Sequence, residues 1–201
     1  MIVVKQHIPM KSCLAILILF SALLVNPAAA LQSTRPADAV SSACLRWIAP
    51  IERYYGIPVG LLTAMSYVES NWRGAPWPWA LNINGTPYYA ASAADAARMM
   101  TDPLGRIRRD VAVGCLQIHM KFHAEAFAAP HHALEPRANV AYAGRYLRML
   151  RDRHGSWVDA VAHFGGDTRS PEYVCRVIRY RIELGYQRLN EAAARTCQGR
   201  I

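Results

Sequence analysis

The chain is short of acid and has no second long apolar run. Its 14 Asp and Glu residues face 23 Lys and Arg, a formal charge of +9 over 201 residues. Beyond residue 30 no segment is long and apolar enough to cross a bilayer, which excludes a stable membrane span in the mature chain. No dense basic run interleaves with aromatics, so the positive charge does not read as a nucleic-acid interface. Internal repeats and low-complexity tracts are missing, and nothing marks a second domain. The cysteine spacings match no zinc pattern, and no cofactor is expected.

What is present begins with an export signal. Lys5 and Lys11 precede an apolar run from Cys13 to Val25, and Ala28 to Ala30 offer small residues for cleavage. Cys13 opens the run rather than closing it, which argues against a lipid-anchored cysteine. Residues 1–30 are therefore assigned to a signal peptide, 31–38 to a short polar leader and 39–201 to one domain, exported to the periplasm or beyond. Removing the leader takes away two lysines and no acid, so +9 becomes +7. A net positive surface favours anionic partners such as acidic cell-wall polymers. Four cysteines remain: Cys44, Cys115, Cys175 and Cys197. An even count in an exported chain predicts two disulfides, with Cys44–Cys197 and Cys115–Cys175 favoured among three pairings and buried free thiols as the alternative.

The residues predict a mainly helical α+β domain. Ser41 to Tyr55 reads as a helix that Pro50 should kink or split. Pro58 to Trp72 reads as a second, with Pro58 in its first turn and Leu61, Met65, Val68 and Trp72 on one buried arc. Leu81 to Tyr89 reads as a hairpin turning at Asn84-Gly85. Ser92 should cap a helix running to Met100. Val111 to Ile118 reads as extended or irregular, and further helices are expected near 119–128, 137–153, 156–164 and 171–197, the last broken at Gly185. Glu69 lies inside the buried arc of the second helix. Desolvation there raises a carboxyl pKa, which suits a general acid near neutral pH. A carboxylate at a helix end, paired with Arg73 or reaching solvent, is the competing reading.

Four blocks in order resemble the lytic transglycosylases of the soluble-transglycosylase, lysozyme-like superfamily. Glu69-Ser70 resembles the family's "ES" pair, and Gly114-Cys-Leu-Gln-Ile118 its "GLMQI" block. Asn139-Val140 with Ala143-Gly144 and Tyr146-Leu147 resembles "NI…GA.YL". Trp157 with Ala160-Val-Ala-His-Phe-Gly165 resembles "W..ALA.YN.G". The stretch Trp79 to Tyr89 also looks like a subgroup that accompanies pili and conjugative secretion systems. The resemblance implies a lysozyme-like helical fold with a small β-hairpin beside the cleft. It implies cleavage of the β-1,4 bond between N-acetylmuramic acid and N-acetylglucosamine in peptidoglycan glycan strands, with 1,6-anhydro-muramic acid as product. Glu69 would be the single acid/base. Ser70 would orient Glu69 or bind the sugar, unless it is only a polar helix-end residue. Gln117 would hold a sugar substituent or else satisfy loop backbone. Asn139 would border the cleft or cap its helix. Trp77, Trp79, Tyr88 and Tyr89 would stack on sugars or pack the insertion.

The match departs at Phe164, where the family usually has a tyrosine that positions substrate. His163 or a tyrosine from another helix would have to compensate. Gly165 replaces the family's usual Asn. Two other functions compete. A hydrolytic lysozyme would need a second carboxylate, with Asp95, Asp102 and Asp110 as candidates. A catalytically weak glycan-binding domain of a secretion or pilus apparatus would need none. His119 and His123, four apart, suit a shared metal in principle, but no Glu accompanies them in a His-Glu-x-x-His arrangement.

Overall fold

The computed structural model describes residues 36–187 and 196–199. The predicted signal peptide, residues 31–35 of the leader and residues 188–195 of the last predicted helix lie outside the described residues. Within them the chain is a mixed α+β domain of seven α-helices and two small antiparallel sheets. Among the described residues, no helix is long and apolar enough to cross a membrane.

Helix α1 spans Pro36–Tyr55 and so begins inside the segment expected to be leader. It runs through Pro50 as one helix, so the split weighed for that proline does not occur. Pro50 lies on the exposed side of the helix, where loss of one backbone hydrogen bond is least costly. Helix α2, Leu61–Ser70, is shorter than the predicted span at both ends. Leu61, Leu62, Ala64, Met65, Ser66 and Ser70 are each fully buried, on every side of it. Thr63, Tyr67, Val68 and Glu69 are partly buried, and a helix so largely covered belongs at the centre of a domain. Its neighbours are α1 and α7, Glu172–Glu183.

Trp72 leaves the predicted apolar arc. It lies instead in β1 (Asn71–Trp72), paired with β2 (Ala75–Pro76), and stacks on Tyr89 at 4.3 Å. The predicted hairpin forms as β3 (Ala80–Ile83) and β4 (Thr86–Tyr89), with positive φ at both Asn84 and Gly85, as a tight two-residue turn requires. Strand β5 (Val111–Val113) pairs with β3, and β6 (Ile118–His119) with β5. Ser92 caps α3 (Ala93–Met99) by accepting from the Asp95 N–H. The helix expected from 119 is a four-residue α4 (Met120–His123) that tightens into a 3-10 turn at Ala124–Ala126.

Helix α5, Pro136–His154, packs on α1 at Gly144, where an added Cβ would sit 2.4 Å from the Ile51 side chain. Helix α6, Trp157–Phe164, is capped by Ser156 and packs on α5. Helix α7 stops at Glu183, with Gly185 in the left-handed region just beyond, so the predicted break near Gly185 is where the helix ends.

The disulfides correct the favoured pairing. Cys44 joins Cys115, tying α1 to the turn between β5 and β6, and Cys175 joins Cys197, tying α7 to the chain end. The sequence could not choose because which loops meet across the core is a tertiary property. The two bonds close loops of different length, with separations of 71 and 22 residues. In the chain-entropy description the longer loop contributes about 4 kcal/mol and the shorter about 3. Replacing Cys44 and Cys115 by serine should therefore lower the chemical-denaturation midpoint more than replacing Cys175 and Cys197. Peptide mapping under non-reducing conditions checks the pairing directly.

Candidate active site

A cleft of about 1250 Å³ opens between the sheet and the helices, and Glu69 lines it. Glu69 stands in the last turn of α2, partly buried. Burial pushes its carboxyl up to about 7, against the opposing pull of a Tyr173 hydrogen bond and the nearby Arg176 charge. The Tyr173 hydroxyl donates to Glu69 Oε1 at 2.5 Å. Burial, and then the Glu69 charge, hold the phenol well above its ordinary pKa, so it remains a donor. A carboxyl near 7 is divided between acid and base forms at neutral pH, the condition for giving and then taking a proton.

Tyr173 comes from the first turn of α7, and its ring covers the end of α6. At Gly165 a Cβ would lie 2.4 Å from a Tyr173 ring carbon. The position where the family pattern has Asn is thus one where this chain has no room for a side chain. Phe164, where the sequence resemblance implied a tyrosine, lines the cleft and packs against Tyr146 at 5.7 Å. Tyr173 supplies a phenol to Glu69 from another helix. Its sequence signal was slight: Tyr173, Arg176 and Tyr180 recur at helical spacing, and Tyr180 in turn accepts from the Asn71 amide.

The other predicted site residues converge on one loop rather than on open cleft. Ser70 is fully buried and donates to the carbonyls of Ser66 and Cys115 at 3.1 and 2.9 Å. Asn139 is not the cap of α5; Glu135 occupies that place, and Asn139 is buried inside the first turns. Its amide accepts from the Leu116 N–H at 2.9 Å and donates to the carbonyls of Val113 and Ala133. Gln117 lines the cleft with φ of +46°, and its amide nitrogen donates to the carbonyls of Ala80 and Gly114. Side chains from α2 and α5, the Cys44–Cys115 bond and the loop's own Gln117 therefore fix the loop 114–117, of which Gln117 lines the cleft. None of Trp77, Trp79, Tyr88 and Tyr89 lines it. Trp77 instead donates to the Ala90 carbonyl and packs edge-on against Trp79.

Of the three candidate second carboxylates, two are committed elsewhere. Asp95 is bound by Ser92 and Arg98 at the start of α3, and Asp102 accepts from Leu104 and Arg106 within its own loop. Asp110 does line the cleft, held by Arg108 at 3.3 Å. The two histidines weighed as metal ligands use their Nδ1 atoms locally. His119 accepts from the Lys121 N–H, and His123 lies 2.7 Å from the Tyr142 hydroxyl. Burial, and then the Lys121 and His119 charges respectively, keep both rings below the ordinary imidazole range. Among the described residues no three His, Cys, Asp or Glu side chains converge as a metal site.

The raised Glu69 pKa has a cost in stability. Its folded value near 7 exceeds the ordinary carboxyl value of 4.5, so it contributes stability that is complete below about pH 4.5 and lost as pH rises through 7. The full loss is roughly 3 kcal/mol. Glu69→Gln, which cannot ionise, should melt at higher temperature than the native protein at pH 8, with the gap closing by pH 4.5. Tyr173→Phe removes the bond that lowers the Glu69 pKa, so the carboxyl should titrate above 7 in carbon-13 NMR. No family model matches the sequence, and neither a curated protein nor a solved structure matches it.

Proposed function

We propose that this protein is a peptidoglycan lytic transglycosylase with Glu69 as its single acid/base, built on a lysozyme-like fold. The observation that carries the reading is the Glu69–Tyr173 pair: a desolvated carboxyl near pKa 7 on a cleft wall, held by a phenol that stays protonated. In the proposed reaction, protonated Glu69 gives its proton to the glycosidic oxygen as the bond to muramic C1 breaks. The resulting carboxylate then takes the proton of the same sugar's 6-hydroxyl as O6 bonds to C1. The 1,6-anhydro ring closes, the acid is regenerated and no water is consumed. The attack is intramolecular, which favours it over capture of water.

Among the described residues Asp110 is the one other carboxylate lining the cleft, and its contact with Arg108 supports a passive role over that of a nucleophile. The loop fixed by Ser70, Asn139 and Gln117 supports the reading differently. It holds the wall beside Glu69 in one geometry, so little reorganisation is needed as charge develops. Export to the cell wall, which rests on the signal-peptide layout of residues 1–30, and service to a pilus or secretion apparatus, which rests on the sequence resemblance, belong to the same proposal.

Digestion of purified sacculi, followed by mass spectrometry, tests this reading. Muropeptides one water lighter than lysozyme products are expected, with release abolished in Glu69→Gln. Tyr173→Phe should slow release roughly 10- to 100-fold, the worth of one hydrogen bond to a charged group. Reducing, hydrated products would move the protein to the hydrolases and Asp110 to the centre of attention. Binding without release would leave a glycan-binding domain.

A further inference from the structure

Arg176 lines the same cleft as Glu69, yet it makes no ion pair with it or with any other described residue. It stands almost one turn after Tyr173 on α7, and its guanidinium carbon lies 5.8 Å from the centre of the Tyr173 ring. The hydroxyl of that ring donates to Glu69 Oε1. Cation, phenol and carboxyl therefore follow one another in that order. Arg176 is exposed, whereas Tyr173 and Glu69 are each partly buried.

The order matters because of what a direct contact would do. An arginine paired with a carboxylate holds it ionised well below neutral pH, and such a group has no proton to give. A charge set farther back pulls less, since the Coulomb energy falls with distance. The aromatic face gives the guanidinium a favourable seat of its own, which keeps it at that remove. Burial and the Glu69 charge raise the Tyr173 pKa, and the Arg176 charge works against both, which makes the hydroxyl a stronger donor to the acid. Other charged or titratable groups line the cleft from other elements. Tyr146 stands on α5, His163 on α6, Asp110 and His119 on the sheet side, and Lys121 and His123 on α4, with Arg109 before them. Arg176 supplies the charge that pulls on the Glu69 carboxyl.

We propose that Arg176 is a positioning residue that acts on Glu69 through the Tyr173 ring, which serves as both relay and spacer. The cation is near enough to favour the carboxylate that forms once the proton is given. It is held too far off to pair with that carboxylate and keep it from being reprotonated. The consequence for activity rests on the glycan-cleaving reading above, whereas the arrangement of charge does not.

The test is a carbon-13 NMR titration of Glu69 in the native protein and four variants. Arg176→Gln should titrate above the native value of about 7, and Arg176→Lys, which keeps the cation, close to it. Added salt should raise the native value and leave that of Arg176→Gln unmoved, because the cation is exposed. Tyr173→Ala removes the spacer and lets the arginine close on the acid, so Glu69 should titrate below the native value. That is the opposite direction from Tyr173→Phe, and adding Arg176→Gln to Tyr173→Ala should abolish the fall. An exposed position makes Arg176→Gln safe for folding, so it decides the matter even if Tyr173→Ala does not fold. With sacculi as substrate, the ratio of release at pH 8 to release at pH 6 should rise about threefold in Arg176→Gln, as the protonated acid persists to higher pH. An unmoved titration in Arg176→Gln, or a rise in Tyr173→Ala, overturns the role of Arg176 even where native protein yields anhydro products. If the titrations move as expected and native protein releases nothing, the arrangement of charge stands and the proposed reaction falls.

Discussion

Glu52 has almost no contact with water, and the placement of α2 depends on it. Its two carboxylate oxygens accept from the Gly60 and Leu62 N–H groups at 2.8 Å each, taking donors that the first turn of a helix leaves unpaired. Burial pushes this carboxyl above its ordinary range, opposed by those same N–H groups and by the Arg181 charge. Arg181, buried on α7, reaches back to the Val59 carbonyl at 2.7 Å and to the Gln187 carbonyl at 2.8 Å. One polar junction thus joins the end of α1, the start of α2 and the far end of α7. The acid Glu69 and its partner Tyr173 are the products of that junction, since each sits at the opposite end of a helix it anchors. A charge buried with partners becomes expensive when one partner goes. The geometry of the site is therefore coupled to residues that never touch it.

The remaining end of α2 is secured by a second device. Ser70 hands its hydrogen to the Cys115 carbonyl, and Asn139 grips the same loop from α5. Read together, these contacts make the helix a beam held at both ends, with Glu69 next to the outer fixing. Rigidity of this kind is what lets a partly desolvated carboxyl persist. A looser wall would admit water and let the pKa relax toward that of a surface glutamate.

Much of this was legible in the sequence where periodicity or turn chemistry is local. The Asn84-Gly85 turn, the Ser92 cap and the burial of Glu69 each follow from residues within one or two turns of each other. Tyr173 was not legible as Glu69's partner, because 104 positions separate the two and only the packing of α7 on α2 brings them together. The disulfide pairing failed for the same reason. Ser70, Gln117 and Asn139 show a different limit. The sequence singled out these residues, yet polar side chains that hold a loop and polar side chains that hold a ligand look alike until their partners are seen. Pro50 shows the reverse case, where a residue that could split a helix sits inside an unbroken one on its exposed side.

The Cys44–Cys115 bond closes a covalent ring. Within its circumference lie the whole of α2, the hairpin and the connector from Asp102 to Asp110, much of which is exposed. A protease that cuts the connector opens the ring but frees no fragment, because the sulfur bridge still joins the two halves. The acid and the loop facing it remain on one molecule after such a nick. The domain can thus be cut once in this exposed connector and still stay whole.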